Sequence, residues 1–170
     1  MSANYVCRLL PIGRIFPHPD GEMMLDQFSF RGQARRAAEI PVLLDHNPRR
    51  PVGKLRSLAP IGAWWVAEFS VDPQLTHSCV AQDRLRVGTP VSAHWISTHL
   101  GPTGLLENVE YAAIAELKEI SVVREGLVDG AAITHILNYP SVARTAQSQA
   151  EPRILRRQTG ELLRSTRGLM

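Results

Sequence analysis

Over the first 140 residues, apolar positions fall in short runs that Gly and Pro interrupt at close intervals. This punctuation is typical of strands joined by turns. Residues 39–46 (EIPVLLDH) form a largely apolar run with an early proline, which predicts a strand. A turn is predicted next, over residues 48–51 (PRRP), because proline fixes φ and restrains the residue before it.

The following segments predict a hairpin and then one helix. Residues 52–58 and 63–71 read as two strands around Pro60-Ile61-Gly62. The helix is predicted over residues 73–87, because Asp72 suits an N-cap, Pro73 the first helical position and Gly88 a C-terminal stop. Four further strands are predicted over residues 89–99, 105–115, 117–124 and 131–137, with a turn at residues 101–104 between the first two.

Together these elements predict a β-rich α+β protein, a small closed β-barrel with flanking helices, over residues 1–140. Residues 141–170 form a tail rich in Ala, Gln, Ser and Arg, expected to be a basic helix or disordered. Residues 144–170 contain six arginines and two glutamates, a net charge of +4. The whole chain has a net charge of +3, so the remaining residues carry −1. Such a tail can contact an acidic partner or nucleic acid, or be a solvated helix face.

Composition narrows the class of protein. A chain of 170 residues is long enough for one domain with a real core. Its two cysteines lie far apart, which favours a reducing compartment over a disulfide framework. Neither a membrane-spanning apolar run nor a secretory signal pattern occurs, so we expect a soluble intracellular protein.

Several familiar catalytic and binding motifs are absent. The sequence contains no G-x-S-x-G, H-E-x-x-H or G-x-x-x-x-G-K-[ST] pattern, which argues against an α/β-hydrolase, a zincin and a P-loop enzyme. The histidine and cysteine spacings do not match zinc sites, so neither a metal nor a cofactor is expected. The tail has no aromatic residues after Tyr139 to interleave with its arginines, which argues against nucleic-acid binding through it.

Three side chains in strand-like runs have the types needed to activate a serine nucleophile: His46, Ser92 and Glu119. Each also has a plain structural interpretation. His46 fits a turn histidine bonded to backbone, and Ser92 fits an ordinary strand serine that shares a face with His94. Glu119, in a buried-looking run, needs a partner, for which Lys118, Arg124 or a backbone amide would serve.

The ordered segments LLDHNPRRPVGKL, GTPVSAHW and ELKEISVVREG resemble the prohead (head maturation) protease family of tailed bacteriophages, which is similar in fold to herpesvirus assemblin. The resemblance covers residues 40–130 and implies that His46 is the general base, Ser92 the nucleophile and Glu119 the acidic partner. Arg124, just past the acidic strand, is a candidate for supporting the oxyanion. His94 stands where the family usually has glycine, and it is an alternative base ranked below His46.

This resemblance implies a serine endopeptidase of viral capsid maturation. Its expected substrates are the capsid scaffold, or the scaffolding segment of the major capsid protein, and the chain itself. It would act inside the immature phage head in the host cytoplasm, as a homo-oligomer such as a dimer, with the tail serving for targeting or dimer formation. The alternative is a catalytically decayed capsid-assembly or binding module of the same fold, which the His94 departure would suit.

Overall fold

The computed structural model describes residues 3–102 and 109–138. This part of the chain contains strands, one 3-10 helix and one short α-helix. In chain order they are β1 (Ala3–Pro11), β2 (Ile15–His18), β3 (Gly21–Leu25), the 3-10 helix (Ala34–Glu39), β4 (Pro41–Leu44), β5 (Asn47–Ile61), β6 (Trp64–Val71), α1 (Ser78–Arg84), β7 (Val91–Pro102), β8 (Val109–Val122) and β9 (Ala132–Asn138). No helix within these residues has the length and apolar character to cross a bilayer.

The strands form one β-rich sheet that curls into a half-barrel, in the order β2-β3-β8-β4-β5-β6-β1-β9. Strand β7 pairs with the other edge of β8. Strands β3 and β4 run parallel to β8, and the remaining pairs are antiparallel. Strand β8 is therefore flanked on both edges, and this places residues of β4, β7 and β8 side by side.

The sequence predicts a closed barrel, and this prediction is wrong, because the sheet is open. Strand β9 meets the segment before β7 at an isolated bridge between Pro90 and Ala132. Backbone hydrogen bonds flank this bridge, from Gly88 to Ile133 at 2.8 Å and from Val91 to Ala131 at 3.1 Å. The contact remains a single bridge flanked by hydrogen bonds and does not extend into a full ladder.

The core lies inside the curl of the sheet. Strand β6 alternates strictly, and its residues Trp65, Ala67, Phe69 and Val71 are buried. The edge of Phe30 packs on the rings of Trp65 and Trp95, with centroids 5.2 and 6.1 Å apart. Burial of such large apolar side chains is the main stabilising contribution, about 25 cal/mol for each Å² removed from water.

The hairpin of β5 and β6 confirms the sequence prediction, but Pro60 and Ile61 belong to β5, and the turn is formed by Gly62 and Ala63. Gly62 has a φ of 59°, which glycine adopts without strain. The last predicted strand is also confirmed, as β9. Where two strands are predicted, over residues 105–115 and 117–124, the described residues form the single strand β8, Val109–Val122.

Helix α1 is shorter than predicted, because residues 73–77 form turns. Asp72 Oδ1 accepts a hydrogen bond from the Gln74 amide at 2.9 Å, and the Asp72 carbonyl accepts one from Leu75. This local turn uses the groups that an N-cap would have offered to a helix. Residues 103–108, within the predicted turn and strand, and the predicted tail at 141–170 lie outside the described residues.

Candidate active site

His46 lies in a two-residue turn between β4 and β5. Leu44 pairs with Asn47 across the hairpin, so Asp45 and His46 form the loop. Both loop residues have positive φ, 55° and 56°, as a type I′ hairpin turn requires. Residues other than glycine rarely adopt this conformation, although Asp and His tolerate it better than most. The turn therefore needs support from its surroundings.

The sequence prediction placed this turn too late. The predicted strand over residues 39–46 ends at Leu44, and residues 48–51 belong to β5 instead of forming the turn. The register shifts so that Pro51 lies opposite Leu43, which leaves residues 48–50 bulged from the ladder. Proline lacks the N–H that a regular ladder would use, so the proline-rich stretch marks the bulge.

Glu119 is a buried carboxylate on β8 whose two oxygens are both hydrogen bonded. Its Oε1 lies 2.6 Å from His46 Nδ1, and its Oε2 accepts a hydrogen bond of 2.7 Å from Ser121 Oγ. The side chain of Glu119 is only 9% exposed, against 44% for His46. Lys118, one of the partners considered from the sequence, pairs instead with Glu116 at 2.8 Å.

The contact with Glu119 determines which tautomer the His46 imidazole adopts. An ionised carboxylate can only accept hydrogen bonds, so the proton between His46 and Glu119 belongs to Nδ1. In the neutral ring, Nε2 is then the basic nitrogen. The arrangement can hold an imidazole in one tautomer and stabilise its protonated form, which is the task of the third member of a catalytic set.

Ser92 lies on β7 directly opposite Ser121 of β8, which in turn lies beside Leu43 of β4. Residues that face each other across a sheet project on the same side. Ser92, His46 and Glu119 all line one cavity of about 540 Å³. The three predicted residues thus line the same cavity, from one turn and two strands that are distant in sequence.

The walls of this cavity are mainly apolar, and they include Leu9, Phe16, Leu43, Val91, Trp95 and Leu127. Two further histidines, His18 and His94, also contribute to the lining. Within residues 3–102 and 109–138, no group of three potential ligand side chains comes together to hold a metal ion.

His94 and Arg124 occupy different positions relative to this cavity. His94 is exposed and lies opposite Glu119 in the β7–β8 pair. Arg124 is exposed just beyond β8, and its neighbour Glu125 contributes to the cavity wall. The oxyanion role of Arg124 stays a prediction.

Ser121 and Asp45 were given no role from the sequence. Ser121 follows Glu119 by two strand positions, so alternation alone would have placed both on one face. Asp45 Oδ1 and Oδ2 accept hydrogen bonds from Arg84 of α1, at 3.0 and 3.1 Å, and Arg50 donates another at 3.2 Å. No local sequence signal reveals these last contacts, because they join separate elements.

No protein-family model and no curated protein matches this chain. Solved structures of the Kaposi's sarcoma herpesvirus protease show a weak similarity. Its complex with a hexapeptide phosphonate inhibitor is 12% identical, with a TM-score of 0.47, over 82% of this chain and 66% of that chain. A complex with an allosteric inhibitor is 15% identical, with a TM-score of 0.46, over 98% and 95% of the two chains. At TM-scores this low the similarity carries no argument about activity, which must be argued from the site itself.

Proposed function

We propose that this chain is a serine endopeptidase in which Ser92 is the nucleophile, His46 the general base and Glu119 the orienting carboxylate. The observation that carries the proposal is the 2.6 Å contact between His46 Nδ1 and Glu119 Oε1 in a cavity that Ser92 also lines. A serine hydroxyl is a weak nucleophile until a base accepts its proton. The buried carboxylate of Glu119 orients the His46 imidazole to act as such a base.

The proposed reaction has two halves. Ser92 Oγ attacks the carbonyl carbon of a peptide while His46 Nε2 takes the hydroxyl proton. The tetrahedral intermediate collapses as His46 returns that proton to the leaving amine, and an acyl ester on Ser92 remains. Water, activated by His46, then hydrolyses the ester and restores the serine. Glu119 stays ionised throughout and stabilises the imidazolium.

The oxyanion requires hydrogen-bond donors aimed at the attacked carbonyl. We retain Arg124 as the candidate, since it precedes Glu125 in the segment that forms one wall of the cavity. Removal of a single oxyanion donor typically lowers kcat by about 10²–10³. An Arg124→Ala variant therefore distinguishes a side-chain donor from a backbone donor, because only a side-chain donor would be lost.

For the substrate, we propose capsid scaffold protein, or the scaffolding segment of a major capsid protein, together with the chain itself. The support is the ordered set of three sequence segments around His46, Ser92 and Glu119. On this proposal the enzyme acts inside an immature phage head in the host cytoplasm. Residues 141–170, rich in arginine, would then serve in targeting or dimer formation.

The test compares the wild-type chain with Ser92→Ala, each co-expressed with a capsid precursor, and follows fragment masses by mass spectrometry. Ser97→Ala is the matched control, because Ser97 lies on the same strand and bonds only weakly, at 3.4 Å, to the Ile114 carbonyl. We expect processing by the wild type and by Ser97→Ala, and none by Ser92→Ala. Identical processing in the wild type and both variants would reject the protease assignment and favour a catalytically decayed assembly module.

A further inference from the structure

We propose that Ser121 is a positioning residue that ties the His46 turn to the Glu119 carboxylate. This inference rests on the proposed function, since it concerns how the base of that site is held. Ser121 Oγ donates to Glu119 Oε2 at 2.7 Å and accepts from the His46 amide at 3.0 Å. One oxygen atom thus contacts both members of the His–Glu pair.

Ser121 cannot itself be the nucleophile. Its side chain is fully buried between β4 and β7, with no exposed area. Its hydroxyl is also engaged as donor and as acceptor. A buried serine with both functions satisfied acts through the groups it touches, and here those groups are a backbone amide and a carboxylate.

The His46 turn depends on such contacts because its backbone is strained. His46 has a φ of 56° without being glycine, and conformations of this kind persist only where neighbours impose them. Besides the contact of the His46 imidazole with Glu119, two backbone amides of the turn donate to β8, that of Asp45 to the Val122 carbonyl at 3.0 Å and that of His46 to Ser121 Oγ. The first fixes Asp45, and the second restrains the backbone of His46 itself.

The Asp45 side chain is held by Arg84 of α1 and by Arg50 of β5. Removal of the Ser121 hydroxyl therefore frees the His46 end of the turn while the Asp45 end stays fixed. It also frees Glu119 Oε2, so the carboxylate can rotate away from the imidazole. Both consequences misplace the base while the Ser92 side chain keeps its chemistry.

The experiment measures hydrogen exchange of the His46 amide by NMR, together with kcat and KM on the processed precursor, in Ser121→Ala. We expect at least about tenfold faster exchange, and a fall in kcat of about 10²-fold with KM little changed, because small misplacements of a catalytic group act on the chemical step. Ser121→Thr keeps the hydroxyl and should restore both quantities. Ser121→Cys fills a similar volume with a weak donor and acceptor, and it carries the test if the alanine variant unfolds.

Ser29→Ala is the matched control, because Ser29 is equally buried and its Oγ donates to the Ala112 carbonyl at 2.7 Å, away from the site. It should leave His46 exchange and kcat unchanged. Wild-type exchange and wild-type kcat in folded Ser121→Ala or Ser121→Cys would overturn the inference. If exchange accelerates but Ser92→Ala is as active as the wild type, Ser121 still anchors the turn and only the proposed function fails.

Discussion

At the scale of single residues, three histidines line the cavity, and two of them, His46 and His94, flank Glu119 from the β4 and β7 sides of β8. His46 reaches the carboxylate with Nδ1 at 2.6 Å, whereas His94 is exposed on β7. A base without an orienting partner has no fixed tautomer and is less effective. On the proposed mechanism, the contact with Glu119 therefore favours His46 over His94 as the base.

This choice predicts different effects for the two histidines. His46→Ala should reduce kcat/KM as much as Ser92→Ala does, because members of a catalytic set act as a unit. His94→Ala should retain most of the wild-type activity, since the imidazole that contacts the Glu119 carboxylate is that of His46. Steady-state kinetics on a peptide spanning a mapped cleavage site would measure both. Loss of activity only in His94→Ala would transfer the role of base to His94.

Glu119→Gln keeps the shape of the side chain but removes its charge. The amide can hydrogen bond to the imidazole but does not stabilise an imidazolium, and it can select the wrong tautomer. We expect partial activity, with kcat reduced by up to about 10⁴-fold and substrate binding unchanged. Full activity in the glutamine variant, measured by the same kinetics, would remove Glu119 from the catalytic set.

Cys7 makes a prediction about stability that does not involve the site. Burial raises the pKa of its thiol from 9.0 to about 12, although a backbone hydrogen bond to Ala67 opposes the shift. Between these pH values the unfolded chain releases the proton and the folded chain keeps it, so stability falls as the pH rises. One such group contributes a slope of up to about 1.4 kcal/mol per pH unit.

Urea unfolding at intervals between pH 8 and pH 11 would measure this slope. Cys7→Ala should unfold more easily at pH 8, because it leaves a small cavity, but its stability should decline less steeply above pH 9. Parallel slopes for the wild type and the variant would show that the Cys7 thiol does not remain protonated in the fold.

At the scale of elements, the close approach of β5 to β6 depends on Gly53. A Cβ at this position would lie 1.9 Å from the Ser70 carbonyl oxygen, a backbone atom that cannot move aside cheaply. Gly53 also pairs with Val42 of β4, so the strand that leads to His46 is built on the same contact. Displacement of β5 here would shift the hairpin that carries the proposed base.

Gly53→Ala should therefore destabilise the fold by about 3 kcal/mol, at the upper end for overpacking. Gly32→Ala is the matched control, because a Cβ there meets nothing within 4 Å, and its stability should change by less than about 1 kcal/mol. Thermal unfolding followed by circular dichroism compares the two. Equal stabilities would show that β5 and β6 tolerate a wider separation.

Elements governed by local chemistry could be predicted from the sequence. The β5–β6 hairpin followed from its apolar arms and Gly62, and the shared face of Ser92 and His94 from strand alternation. The turn at Asp45 and His46 could not be predicted, because it lacks the glycine that usually marks two positive φ values. Pro48 and Pro51, which follow soon after, gave a stronger but misleading local signal for a turn.

At the scale of the whole molecule, the site depends on pairings between strands far apart in the chain. His46 follows β4, Ser92 lies on β7 and Glu119 on β8, and parallel pairing of β4 with β8 brings them together. Register between distant strands is set by the complete sheet and leaves no local trace in the sequence. For this reason, the sequence could suggest each of the three residues separately but not their proximity. For the same reason, it could not show that the sheet stays open.

We propose that the contact between His46 and Glu119 activates Ser92, and a serine-directed reagent tests this without knowledge of the substrate. Diisopropyl fluorophosphate transfers its phosphoryl group to an activated serine oxygen and releases fluoride. We predict a single adduct on the wild-type chain, mapped by peptide mass spectrometry to Ser92, and none on His46→Ala or Ser92→Ala. No adduct on the folded wild type, or an adduct that persists in Ser92→Ala, would contradict the account.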